Sequence, residues 1–347
     1  MRPGGPEGSG PEGTGAEAFG AASAPAFPAV PAPGSAGQGP AGQGQDAEQW
    51  EAERLARAAL SRAAGSDRRA LGAEIQAVGA VALWERVRHR HPAIDPRRDV
   101  EVAARVGARL VCPGDPEWPA GLDDLDRCGG TRRDDLGAPL ALWVRGGGDL
   151  AELARRAVAV VGCRAATEYG AHMAAELGFG LAERGWTVVS GAAFGVDAAA
   201  HRGALAAAGP TVAVLAGGID VPYPAAHSDL LDEIAQTGLV ISEAPPGSPP
   251  FRRSFLTRNR LIAALAAGTV LVEAGLRSGA LSTARQARRL GRTVMAVPGP
   301  VTSAMSAGCH RLLREHREET VLVTGVGDIC EEIGRIGELE PRAAGPA

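Results

Sequence analysis

The chain has 347 residues, 45% hydrophobic and 22% charged, with a formal net charge of -4. This is ordinary globular composition, long enough for one large domain and a smaller one. No uninterrupted apolar run approaches membrane-spanning length, which excludes a helical membrane span and predicts no membrane partner.

Residues 1–46 are mostly Gly, Pro, Ala, Ser and Gln with few apolar anchors. Such a segment cannot bury enough surface to offset its ordering entropy, so a disordered tail is expected. It lacks the basic start and apolar core of a signal peptide.

Residues 47–110 read as a helical module of three or four helices. Glu51–Leu60 is rich in helix formers, and Ile75, Val78, Leu83 and Val87 recur near helical spacing. Such a bundle fits either a helix-hairpin-helix nucleic-acid module or plain packing. Residues 111–150 form a lead-in with a strand-like piece at Leu140–Val144, where Trp118 between two prolines reads as a buried anchor.

From about Ala157 the period changes. Short apolar runs alternate with amphipathic helices: Val158–Val161, Thr187–Ser190, Thr211–Leu215, Leu239–Ser242, Val270–Glu273, Val294–Val297 and Val321–Val323, each followed by a helix. Seven strand–helix units predict an α/β fold, a mainly parallel sheet with helices on both faces, running to residue 335. A second disordered tail is expected over 336–347. In such sheets ligands bind outside the carboxyl ends of the strands.

The residues at those ends are polar and glycine-rich. Gly162-Cys-Arg164 follows the first strand, where a helix start would add amide donors to the Arg164 guanidinium. Asp197 and Asp220 read as helix caps or turn formers. His201 reads as a packed histidine.

Charge concentrates late in the chain. Pro245–Thr293 holds nine arginines (252, 253, 258, 260, 277, 285, 288, 289, 292) and one acid, Glu273, and nine minus one gives +8. The sequence contains no lysine, so anions must be held by guanidinium forks, amides or hydroxyls. In the helix Ser254–Ala267, Leu261, Ile262 and Leu265 set the core face. Arg258 lies on that face and Arg260 nearly opposite. A buried Arg258 needs a carboxylate, such as Glu243 or Glu273, or a bound phosphate. Phe255 lies on the core side and can either pack or stack a base. Arg285, Arg288, Arg289 and Arg292 form one ridge, either a solvated face or an anion track beside Ser278, Gly279 and Thr283.

Five scattered cysteines without Cys-x-x-Cys spacing point to reduced thiols and a cytoplasmic protein. No metal cluster, catalytic triad or cofactor motif is marked, so neither catalytic residues nor cofactors are expected.

Together these motifs resemble the DprA/Smf family of bacterial DNA-processing proteins. The matching stretches are Val158–Gly170, Ser190–Leu205, Val214–Asp220 with Tyr223-Pro224, and Leu239–Glu243. They continue through Phe255-Leu-Thr-Arg-Asn-Arg-Leu-Ile262, Glu273–Ala284 and Gly291–Gly299, with Asp115–Leu122 and Pro139–Gly146 as lead-in. The resemblance implies an extended Rossmann-like fold, usually a homodimer, that binds single-stranded DNA and helps load RecA during natural transformation. It implies a strand-binding pocket using Arg164, Arg252 and Phe255. Arg258, Asn259, Gly162, Ser278, Gly279 and Thr283 complete the expected site.

Three features depart from the family pattern. Cys163 replaces a commoner Ser or Thr, Phe194 stands where many members carry Arg, and no C-terminal winged-helix module is expected before Ala347. The rival reading is a phosphoribohydrolase-like enzyme on a related fold. Its glycine motif is followed by a catalytic Glu, whereas Thr283 here is followed by Ala284-Arg285-Gln286. A structural or nucleotide-sensing module is a third reading.

Overall fold

The computed structural model describes residues 41–64, 68–128 and 137–334. The tail expected over 336–347 lies outside the described residues, as does most of the one over 1–46. The exception is helix α1 (Ala41–Ala63), which begins inside that segment. Extending an existing helix backwards costs less than nucleating one, so the helix-forming stretch from Glu48 draws weaker residues in.

The helical module continues with α2 (Arg68–Val78), α3 (Ala80–Val87) and α4 (Pro96–Arg105). Asp95 caps α4 by accepting from the Arg97 and Arg98 amides, with Pro96 in the first turn. Leu60, Ile75 and Leu83 form a small core together with Leu140 of the lead-in, while Val78 is exposed. Strand β1 (Ala108–Val111) straddles the boundary expected at residue 110.

β2 (Leu142–Arg145) follows the helix α5 (Asp124–Arg127), and α6 (Leu150–Arg155) leads into the main fold. Then come β3 (Ala157–Val161), α7 (Glu168–Glu183), β4 (Thr187–Ser190), α8 (Val196–Ala206), β5 (Thr211–Leu215) and α9 (Ser228–Thr237). The second half holds β6 (Leu239–Ser242), α10 (Arg252–Leu265), β7 (Gly268–Leu271), α11 (Ala280–Arg289), β8 (Thr293–Ala296), α12 (Ala307–Glu315), β9 (Thr320–Leu322) and α13 (Val326–Ile333).

The nine strands form one sheet in the order β1-β2-β6-β5-β4-β3-β7-β8-β9. β3 to β9 pair in parallel, and β1 and β2 add an antiparallel edge beside β6. Side-chain alternation divides the core between two faces. Ala157, Ala159 and Val161 meet α10 and α11 on one face; Val158 and Val160 meet α7, α8 and α13 on the other. Helices α7 and α8 cross closely: a Cβ on Gly203 would stand 2.1 Å from the Ala175 carbonyl oxygen. The strand order reverses at β3, whose neighbours are β4 and β7. That switch point brings the ends of strands distant in sequence to one rim.

Candidate nucleic-acid interface

The loop after β3 is pinned from β7. The Cys163 amide donates to the Glu273 carbonyl oxygen at 2.8 Å. Thr167 donates its amide and hydroxyl to the two Glu273 carboxylate oxygens at 2.9 and 2.7 Å. Thr167 Oγ1 in turn accepts from the Gly170 amide and caps α7. Glu273 is thus committed to this loop, not to Arg258. Gly162 is required by contact, since a Cβ there would meet the Val196 side chain at 2.5 Å. Burial, then Glu273, push the Cys163 thiol up to about 12, so it stays protonated. Arg164, between these fixed points, is exposed.

The Arg164 guanidinium lies over the Phe255 ring, 4.7 Å from its centroid. Tyr223 contacts the same ring at 5.1 Å, tilted by 54°. These three side chains line an open, shallow pocket at the rim. Gly191, Ala193 and Phe194 from the β4–α8 loop complete its wall with Pro224. Arg252 stands three residues before Phe255 in the first turn of α10 and is exposed.

The other expected residues of α10 face inward. Arg258 is buried; its Nη1 donates to the Val214 carbonyl oxygen and lies beneath Gly191, where a Cβ would come within 2.2 Å of it. Burial lowers the Arg258 pKa to about 10, while Asp197 opposes that shift. Burial also raises the Asp197 carboxyl, against Arg258 and the amides of Ala193, Gly162 and Gly191. The compensating carboxylate is therefore Asp197, neither Glu243 nor Glu273. Asp220 sits in the turn closed by the Val221 amide on the Gly218 carbonyl oxygen, and its carboxylate ties that turn to a distant loop by accepting from the Gly247 amide at 2.7 Å.

Asn259 is buried and donates to the Gly279 carbonyl oxygen at 3.2 Å, linking α10 to the start of α11. Ser278 Oγ accepts from the Ala280 amide at 3.3 Å, and Gly279 is exposed. Thr283 is buried on the core side of α11. Hence Arg164, Phe255 and Gly162 converge at one rim with Arg252 nearby. Ser278 and Gly279 connect through Asn259, and Arg258 and Thr283 lie below the surface.

Arg260, expected nearly opposite the core, is 2% exposed. It forms a two-pronged ion pair with Glu243 at 2.7 and 2.9 Å. Arg68 of α2 reaches the same carboxylate at 2.7 Å. Burial raises the Glu243 pKa, but Arg260 and Arg68 outweigh it and hold the carboxyl below its ordinary range. Arg62 of α1 pairs with Asp99 and donates to the Pro246 carbonyl oxygen at 2.7 Å. The helical module therefore holds the β6 end of the segment that leads into α10, at Glu243 and Pro246.

A family model described as DNA recombination-mediator protein A matches residues 109–334. The chain belongs to that family. The putative DNA processing protein DprA of Mycobacterium tuberculosis is 53% identical over 289 residues, covering 78% of this chain and 74% of its own length. DNA processing protein DprA of Streptococcus pneumoniae is 42% identical over 195 residues, covering 56% of this chain and 67% of its own. The X-ray structure of DprA from Streptococcus pneumoniae superposes with a TM-score of 0.61 at 34% identity, covering 71% of this chain and 81% of its own. A Helicobacter pylori DprA structure, described for its single-stranded DNA binding mode, gives a TM-score of 0.54 at 27% identity, covering 65% and 94% of the two chains.

The DprA family match spans every expected site residue. It also spans rim residues that sequence reasoning did not assign, namely Gly191, Ala193, Phe194, Tyr223 and Pro224. Their signal was positional: each follows a strand that neighbours β3 or its neighbour β4. The α11 ridge is partly neutralised within the chain. Arg288 pairs with Glu319, and Arg292 donates to Asp124 at 2.6 Å. Arg285 remains exposed. Among the described residues no helix is long and apolar enough to cross a membrane.

Proposed function

We propose that the protein is a non-enzymatic, cytoplasmic single-stranded DNA-binding protein that protects incoming strands and helps load RecA in transformation and recombination. The observation that carries this is Arg164 stacked on Phe255 at the mouth of an open, aromatic-lined pocket. A ring offers a sequence-tolerant surface to an unstacked base, and guanidinium groups grip the backbone beside it. Duplex DNA keeps its bases stacked and offers no such face. Membership of the DprA family and the single-stranded DNA binding of the Helicobacter pylori relative support the reading. Action as a homodimer and delivery to RecA are further parts of the proposal, drawn from the family resemblance.

Anisotropy titration of labelled oligo-dT at several salt concentrations is the test. For single strands log K should fall with log salt at about 0.7 per phosphate neutralised. Equal affinity for duplex and single strand, or no salt response, would overturn the reading. Light scattering of the purified chain tests the dimer, and co-elution with RecA on an oligo-dT tract tests the hand-over.

A further inference from the structure

We propose that Phe194 is a second base-stacking residue, so that the rim offers faces to two unstacked nucleobases, one against Phe255 and one against Phe194. This rests on the single-stranded DNA reading above and names how the strand is seated.

Phe194 is 47% exposed at the pocket wall. A large ring left in water forfeits burial that folding would otherwise gain. Its presentation is built in. Ala192, two residues earlier, has φ 52°, a left-handed conformation that side-chain-bearing residues adopt only at a cost. Gly195, immediately after, has φ 77°, and a Cβ there would stand 2.4 Å from the Cys163 carbonyl oxygen. The loop is therefore pressed against the same β3 loop that carries Arg164.

Behind the ring lies His227, buried, its own ring 4.6 Å away and at 66° to that of Phe194. His227 Nδ1 stands 2.9 Å from the Ala192 carbonyl oxygen. One buried side chain thus holds both the strained backbone and the inner edge of Phe194, leaving the rest of the ring to solvent. Strain that is braced and spent on exposing an aromatic ring beside a cation–π pair fits a stacking platform. Phe194 carries no charge, so its part in binding must depend on bases rather than phosphates.

The experiment compares oligo-dT with an abasic strand of equal length and charge, using wild type, Phe194→Ala, Phe194→Tyr and Arg164→Ala. Wild type should prefer the base-bearing strand. Phe194→Ala should weaken oligo-dT binding by about 5- to 150-fold, the range of one base–aromatic stack, and shrink that preference with no change in salt slope. Phe194→Tyr should retain both. If Phe194→Ala keeps the full preference for bases while Arg164→Ala weakens binding, the second platform is wrong and the DNA reading stands. If wild type fails to bind oligo-dT, both fall. Circular dichroism of the Phe194→Ala protein separates loss of a stack from loss of fold; an unfolded variant passes the decision to Phe194→Leu, which keeps apolar volume without a π-face.

Discussion

The guanidinium of Arg164 and the ring of Phe255, 91 positions apart in sequence, stack with 4.7 Å between carbon Cζ and ring centroid. The contact places a positive charge and a flat apolar face side by side. Exposed pairs of this kind contribute about 0.5–1 kcal/mol, too little to hold the fold, so their removal is expected to spare stability and affect binding. Arg164→Ala should weaken oligo-dT binding and lower the salt slope by about 0.7. Phe255→Ala should weaken it without lowering the slope by that amount. An unchanged slope in Arg164→Ala removes that residue from the phosphate contacts.

Glu243 should behave differently. Its carboxylate is buried between Arg260 and Arg68. Breaking a buried pair by deleting one partner costs about 3–5 kcal/mol, because the other charges stay buried and unpaired. Glu243→Ala is expected to lower the denaturation midpoint sharply. Since the folded-state pKa is depressed, this stabilisation is present above the ordinary Glu value and lost as pH falls through the folded value. Urea titrations of wild type and variant at neutral and acid pH measure both effects; the gap between them should narrow in acid.

Gly203 sets two effects against each other. Alanine gains about 1 kcal/mol of helix propensity over glycine. Yet a Cβ at Gly203 would sit 2.1 Å from the Ala175 carbonyl oxygen and 2.9 Å from the Phe179 amide nitrogen, both backbone atoms. Separating two packed helices costs about 1–3 kcal/mol or more. Gly203→Ala is therefore expected to destabilise, by thermal melt, despite the better helix former.

His201 supplies a pH test. Thr211 Oγ1 spends its proton on the Val188 carbonyl oxygen at 2.6 Å, so His201 Nδ1 must donate to Thr211 at 2.7 Å. Burial, and then the charges of Arg258, His227 and Arg202, lower its pKa to about 3. Between that value and the unfolded value of 6.5 the unfolded chain binds the extra proton, so the histidine costs stability as pH falls through this window. The raised carboxyl of Asp197 acts with the opposite sign, so a difference measurement is needed. His201→Asn keeps a donor for Thr211 and removes the titration. Wild type should lose stability relative to the variant between neutral pH and pH 4, measured by denaturant midpoints.

Much of the sheet was legible because β3 to β7 are fully buried runs of four or five residues rich in apolar side chains, set between glycines, prolines and helices. β4, β5 and β6 fall where the apolar pattern puts them. β1 was not legible: it follows α4 with only Val106-Gly107 between, and its Arg109 interrupts the apolar signal. Within α10 the helical wheel assumes one solvent face. Arg260 defeats it because the outer side is also covered, by Glu243, Arg68 and the Gly137 carbonyl that Arg260 Nε reaches at 2.9 Å. Arg164 and Phe255 could be found since each stands where a strand end or helix start meets the rim. Phe194 and Tyr223 join them only through the adjacency of β3, β4 and β5, which no local pattern encodes.

The grip of α1 and α2 on the segment before α10 also bears on how this chain can be dissected. Arg68 is one of two cations that neutralise Glu243, and Arg62 reaches the Pro246 carbonyl oxygen. Trimming the chain back to the sheet would strip a counter-ion from the interior and unfasten the approach to Arg252 and Phe255. The small N-terminal bundle is in this sense a keystone for the rim, and a sheet-only fragment should bind as a loosened version of the intact protein.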